Sequence, residues 1–311
     1  MAIESGVDRR SLAAAGVAVV LWASAFVSIR DAADHFSPGA LALGRLATGS
    51  AFLVLILLIR REGWPPRAAW PGILAAGLLW FAGYMTLLNW GEQHVDAGTA
   101  SMIVNLGPIL IALLGGWILK EGFPPAVLAG IAVSVGGAVL VGLSLSGGGS
   151  SSLTGMLACV LAAVSYSVAT VLQKPALRHG SALQVTTFSC LVGTVATLPF
   201  AGELVTQTAH APVGAVLNVV YLGVFPTGVA FISWAYALHR TTAAKLGATT
   251  YAVPVVVVAL SWVLLGEVPG WLSLVGGLVC LAGVAISRRR PRPRISLPST
   301  DGPREAARPS R

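Results

Sequence analysis

Apolar residues gather along this chain into ten runs of roughly 20 residues, the length a helix needs to cross a bilayer core about 30 Å thick. Their approximate limits are 11–29, 38–59, 70–88, 97–119, 126–145, 154–172, 182–200, 213–238, 246–266 and 271–287. Sliding the chain against itself by 146 residues sets Pro108 on Pro254, Glu121 on Glu267, Gly130 on Gly276, Ser134 on Cys280 and Gly137 on Gly283. A repeat of about half the chain makes the two halves copies of one structural unit. Five helices per copy is an odd number, so the second copy must enter the membrane upside down. The expected fold is all-α and integral to the membrane, with ten transmembrane helices arranged as two inverted-topology five-helix repeats. Exchanging the conformations of two such halves turns a site open to one side into a site open to the other, and the architecture recurs in secondary transporters.

Composition agrees: of 311 residues 55% are hydrophobic and 10% charged, and the mean hydropathy is +0.80. A net charge of +8 would suggest nucleic acid in a soluble protein, but its placement argues against such a partner. With the N-terminus inside, every Lys and Arg falls in an inner segment except Arg30 and Arg45, while the outer segments hold Asp31, Asp34, Glu92, Asp96, Glu203 and Glu267. That asymmetry obeys the positive-inside rule and places both termini in the cytoplasm. The organisation read from it is a cytoplasmic N-terminus (1–10), a first repeat (11–145), a Gly/Ser linker (146–153), a second repeat (154–287) and a basic tail (288–311) expected to be disordered. Arg9-Arg10 ahead of an apolar run ending in Ala23-Ser24-Ala25 imitates a cleavable signal. Removing that run would leave nine helices and reverse the charge fit of every later loop. Cys159, Cys190 and Cys280 fall inside helices at unpaired spacings, which implies neither a disulfide nor a metal site. A composition rich in Ala, Gly and Arg with little Lys fits a high-GC bacterium, hence a multi-pass protein of the cytoplasmic (inner) membrane.

Two stretches carry a family resemblance. Pro108 leads through Trp117-Ile118-Leu119-Lys120-Glu121 to Gly130 and Gly137, and Tyr251-Ala252-Val253-Pro254 leads through Leu265-Gly266-Glu267 to Gly276 and Gly283. Together with Trp22-Ala23-Ser24-Ala25-Phe26 in helix 1 and Arg45 in helix 2, they resemble the ten-helix EamA-type transporters of the drug/metabolite transporter superfamily. The resemblance covers about residues 11–287. It implies export of an amino acid, another small metabolite or a drug-like solute; relatives that carry nucleotide- or lipid-linked sugars are the alternative. The copies are chemically unequal, because Lys120-Glu121 stands where the second copy has Gly266-Glu267 and Ser189 stands near the place corresponding to Arg45.

Pro108 and Pro254 lie near the bilayer midplane, about 12–16 Å into their helices. Each removes a backbone hydrogen bond, and the resulting kink is either a hinge beside a cavity or a static bend. Arg45 is the ionisable residue well inside a span, about 10 Å below the outer end of helix 2. A charge there faces a cavity or a partner, so its guanidinium meets a substrate carboxylate, closes an outer gate or anchors neighbouring carbonyls. Trp22, Ser24, Tyr84, Asn105, Tyr166, Ser167, Trp234 and Tyr251 combine depth with polarity and complete the candidate substrate-binding set. Gly130, Ser134, Gly137, Gly276, Cys280 and Gly283 form small-residue helix faces, which serve packing within one chain or a homodimer seam through helices 5 and 10. Glu121 and Glu267 fall at helix ends and read as caps, while Trp70, Trp90 and Trp271 read as interfacial anchors.

His35, His94, His179, His210 and His239 sit in loops or at helix ends, and no paired carboxylates or Ser/His dyad lies inside the bilayer, so an intramembrane enzyme is not expected. A channel would need a polar filter and does not call for inverted halves. No Gly-x-x-x-x-Gly-Lys segment for ATP is present, and no cofactor or metal is implied. With one cavity-depth cation, a small neutral, zwitterionic or weakly anionic solute fits better than a phosphate-bearing one. No carboxylate is evident deep in a span, so exchange without proton coupling is expected, or coupling through Asp31, Asp34 or Asp96.

Overall fold

The computed structural model describes residues 9–120, 125–145, 153–266 and 270–287. Glu121 and Glu267, residues 1–8, the linker up to residue 152 and the tail 288–311 lie outside the described residues, as do the side chains of Ser134, Tyr251 and Cys280. All regular structure described is helical: α1 (Arg9–Ala32), α2 (Pro38–Ile59), α3 (Arg67–Glu92), α4 (Ala97–Ile118), α5 (Pro125–Leu145), α6 (Leu153–Ala176), α7 (Ala182–His210), α8 (Val213–Arg240), α9 (243–265) and α10 (Trp271–Ser287). Among the described residues, α1 to α4 and α6 to α8 are the seven helices long and apolar enough to cross a membrane. The apolar stretches of the others are shorter, at Leu128–Gly137, Ala252–Leu264 and Leu274–Gly283.

Helix starts follow from local chemistry. Ser37 caps α2 by accepting from Ala40 N at 3.3 Å, with Pro38 set in the first turn, where its missing N–H costs nothing. Ser181 caps α7 in the same way and completes a reciprocal capping box with Gln184. Asp96 caps α4 by accepting from Thr99 N at 2.8 Å. The ends of α4 and α9 are also alike, since Lys120 (φ 55°) and Gly266 (φ 69°) both turn left-handed just past the helix. A Cβ in that region costs about 1–2 kcal/mol that glycine avoids. Lys120→Gly is therefore expected to stabilise the protein by roughly 1 kcal/mol after glycine's greater unfolded-state freedom is counted. Its thermal unfolding midpoint in detergent should rise, and a fall would show that Lys120 is held by something other than the turn.

Packing comes in matched pairs. The contact of α1 with α8 is matched by α6 with α3, that of α1 with α9 by α6 with α4, and that of α2 with α8 by α7 with α3. The pairs α2–α7 and α5–α10 join helices that correspond to each other. Adding about 146 to the residue numbers thus maps the packing onto itself. Among the described residues the α5–α10 contact is as extensive as that of α3 with α6, and Gly130, Gly137, Gly276 and Gly283 are all buried.

Two helix pairs are irregular at corresponding places. α3 is π-helical over Ala76–Tyr84, and α8 is π-helical over Gly223–Val229. π-turns widen a helix and leave carbonyls to be satisfied from outside. Ser165 Oγ on α6 donates to Leu79 O at 2.6 Å, and Trp22 Nε1 on α1 donates to Pro226 O at 3.2 Å. Likewise, α4 breaks in a turn at Asn105–Leu106 just before Gly107-Pro108, and α9 narrows to a 3-10 turn over Ala248–Tyr251 before Pro254.

Two of the boundaries that differ from those expected change the surroundings of polar groups. α7 does not stop near residue 200, because a 3-10 turn at Leu198–Phe200 carries it into Ala201–His210. That extension is exposed and is tied to the start of α2, where the Ser37 hydroxyl bonds the Glu203 carboxylate and Ser37 N donates to Gln207 Oε1 at 2.9 Å. α3 runs one turn past Leu88 and ends at Glu92, which is fully buried rather than in an outer loop. Gly91 permits this, since a Cβ there would lie 2.5 Å from Cys159 Sγ on α6.

Candidate functional site

The irregular stretches surround a central cavity of about 580 Å3, counting the space at its mouth. Its apolar part is aromatic. Trp80, from the π-helical part of α3, stands between Trp22 of α1 (ring centroids 6.0 Å apart) and Tyr166 of α6 (5.8 Å), with Phe231 of α8 edge-on at 4.8 Å. Tyr84 packs edge-on to Tyr166 at 5.5 Å. Trp22 and Tyr166 occupy corresponding helices, so each half contributes one wall.

The polar part centres on Arg45, which is 3% exposed and lines the cavity from α2. Its position is built by a short chain of causes. Pro226 has no N–H to donate, and it lies inside the π-helical stretch Gly223–Val229, whose i→i+5 bonding passes the Leu222 carbonyl to Thr227 instead. The Thr227 hydroxyl also donates to Leu222 O at 2.8 Å, which leaves its oxygen to accept from Arg45 Nε at 3.3 Å. Arg45 Nη1 is buried with no hydrogen-bond partner. A guanidinium N–H in this condition is costly unless something brings an acceptor to it.

Three further groups on the cavity wall offer acceptors. Ser101 Oγ spends its proton on Gly98 O at 2.6 Å and Thr250 Oγ1 spends its own on Gly247 O at 2.7 Å, so both present lone pairs. Asn105, in the turn that interrupts α4, adds an amide. Among the described residues no Asp or Glu lines the cavity, and Arg45 is the charged group that does.

The expected site residues divide accordingly. Trp22, Arg45, Tyr84, Asn105 and Tyr166 line the cavity together. Ser24 instead shares a 2.6 Å hydrogen bond with Tyr221, Ser167 is fully buried and donates to Gly107 O at 3.0 Å, and Trp234 stands behind Trp22 at 4.9 Å. Pro108 and Pro254 both sit just after their helix breaks. Sequence reasoning missed Trp80, Phe231, Ser101 and Thr250 as lining residues, and Thr227 as the partner of Arg45. Pro226 inside an apolar run, followed by Thr, was the available signal for the last.

Comparisons with known proteins fall on the same two halves. A model described as "EamA-like transporter family" matches twice, at residues 10–143 and 153–289. A probable terminal-alkyne amino-acid exporter of Streptantibioticus cattleyicolor is 39% identical over 290 residues, covering 92% of this chain and 96% of that protein. An uncharacterized transporter of Bacillus subtilis, YdfC, is 35% identical over 267 residues, covering 86% and 87%. Among solved structures, a crystal structure with 23% identity superposes with a TM-score of 0.67 over 89% of this chain and 96% of its own, a likeness of fold. With the family's unit present twice and one cavity lined from both copies, the chain belongs to the EamA-like transporter family and is a multi-pass membrane transporter of small molecules.

Proposed function

We propose that the protein is a secondary carrier, not an enzyme or channel, that exports a small amino-acid-like metabolite across the bacterial inner membrane without ATP. In this reading ten helices cross the bilayer as two five-helix units of opposite orientation, both termini are cytoplasmic, and the halves alternate access to the central cavity. The observation that carries it is the cavity's polar inventory. One guanidinium with an unfilled N–H meets a carboxylate, the oxygens of Ser101, Asn105 and Thr250 suit an ammonium, and the aromatic walls suit an apolar side chain. A sugar nucleotide would need several cations against its phosphates, and among the described residues Arg45 is the one Lys or Arg that lines the cavity. The amino-acid exporter among the relatives supports the same class of solute. Matched helix breaks in α3 and α8, and in α4 and α9, give each half the same flexible points, as alternating access requires.

Proteoliposomes loaded with one unlabelled apolar amino acid at a time should accumulate its radiolabelled form by counterflow, with no pH gradient imposed. Absence of counterflow across the proteinogenic and alkyne-bearing series would refute the amino-acid reading. The burial of Glu92 favours a second reading for the energy source, because that carboxylate interacts electrostatically with both Arg45 and Tyr84. If Glu92 carries the coupling proton, Glu92→Gln retains counterflow and loses accumulation driven by a proton gradient. If exchange alone operates, both assays are indifferent to the substitution.

A further inference from the structure

A second cavity, of about 1350 Å3 counting its mouth, lies at the opposite ends of the same helices. On α1 it reaches Ala14, two turns from Trp22; on α2 it is lined by Phe52, Ile56 and Arg60, beyond Arg45; on α8 it runs from Val229 to Arg240. A thin layer separates it from the central cavity. Trp22 packs against Phe231 at 5.4 Å and Trp234 at 4.9 Å, and Gly228 approaches Phe52 so closely that a Cβ there would fall 2.6 Å from its ring. Phe231 lines the central cavity while its neighbour Ile232 lines the second.

The chemistry of this second space is graded. Its inner wall is apolar, formed by Phe52, Ile56 and Ile232, and its rim carries Arg60, His239 and Arg240. Arg240 is held in place, stacked 3.7 Å over the Tyr236 ring and donating from Nη1 to Tyr236 O at 3.2 Å. Glu62 is the opposing carboxylate at the rim, and the Ser181 hydroxyl is hydrogen-bonded to it. Rim charge is therefore net positive even with His239 neutral. A cationic mouth over low-dielectric walls concentrates anions.

We propose that this second cavity is an intake site for organic carboxylates, the carboxylate resting between Arg60 and Arg240 and a short apolar body resting on Phe52, Ile56 and Ile232. Its place on the transport route rests on the carrier reading above; its binding of anions does not. An anionic lipid headgroup shares the chemistry, and the arms of the test below separate a solute from a lipid.

Ser233→Cys places a thiol on the wall, and Cys280→Ser in the same chain leaves only the buried Cys159 and Cys190. Purified full-length protein in detergent is labelled with sulfonatoethyl and with trimethylammonioethyl methanethiosulfonate, each rate normalised to a free thiol. The anionic reagent should be favoured by about tenfold or more, and Arg60→Gln with Arg240→Gln should bring the ratio to that of the free thiol while the protein elutes as before. A ratio indifferent to the two arginines overturns the proposal. Millimolar octanoate should slow labelling in phosphatidylcholine nanodiscs. If only added phosphatidylglycerol protects, the occupant is a lipid and the solute proposal fails. Labelling requires no transport, so charge-selective labelling with absent counterflow would fault the carrier reading alone.

Discussion

Arg45→Ala is expected to lower counterflow of an apolar amino acid about 100-fold at matched expression, the equivalent of losing one desolvated charge pair worth roughly 3 kcal/mol. The side chain gives up two things at once, its bond to Thr227 and a buried Nη1 that has no hydrogen-bond partner in the protein. Arg45→Lys keeps the charge but not the planar fork, so it should recover only part of the activity. Thr227→Val separates anchoring from recognition. It removes the hydroxyl's bond to Leu222 O and takes the acceptor from the buried Arg45 Nε, at a cost of about 1–3 kcal/mol in stability. It leaves Nη1 in place, so transport by the folded fraction should fall far less than in Arg45→Ala. Equal losses in the two variants would make Arg45 an anchor for α8 and nothing more, and full transport by Arg45→Ala would end both roles.

What the sequence revealed here, and what it hid, follows from how local each signal is. An apolar run of bilayer length is a local signal, and among the described residues seven of the ten runs fall on helices long enough to cross a membrane. Arg45 stood out because a charge in an apolar run has few ways to be satisfied. The π-helical part of α3 has no local sign; Ala76–Tyr84 reads as any apolar helix, and the widening depends on Ser165 of α6 taking the Leu79 carbonyl. Trp80 was passed over for a related reason, since among Leu79, Phe81 and Ala82 it reads as packing, and only the assembled fold turns its ring to the cavity. Glu92 reads as a loop residue because charge ordinarily ends a membrane helix. Its burial depends on Gly91, whose close approach to Cys159 lies 68 positions away in sequence. Long-range contacts, not propensities, decided each of these.

Glycine at the crossings supplies the remaining large effect, and three alanine substitutions should give three different outcomes. A Cβ on Gly223 would lie 1.9 Å from Thr48 Oγ1, 2.5 Å from Arg45 O and 2.8 Å from Gly49 N. Two of those atoms are backbone and cannot swing aside, so α2 and α8 must separate where Arg45 meets Thr227. Overpacking of this kind costs about 1–3 kcal/mol or more, and Gly223→Ala should lower both the thermal midpoint and transport. At Gly107 the obstacle is a side chain, with Tyr166 Oη 2.0 Å from the added Cβ. The ring can yield only by turning from its place beside Trp80 and Tyr84, so Gly107→Ala should stay folded but bind poorly, with a raised KM in counterflow. Gly247 has only ordinary contacts, Ile111 Cγ2 at 3.6 Å and the backbone of Pro108 at 3.7 Å, and Gly247→Ala should behave as wild type. The ordering tests the architecture itself. If Gly223→Ala melts and transports like Gly247→Ala, then α2 and α8 do not cross where Pro226 and Thr227 set the guanidinium, and the positioning of Arg45 must come from elsewhere.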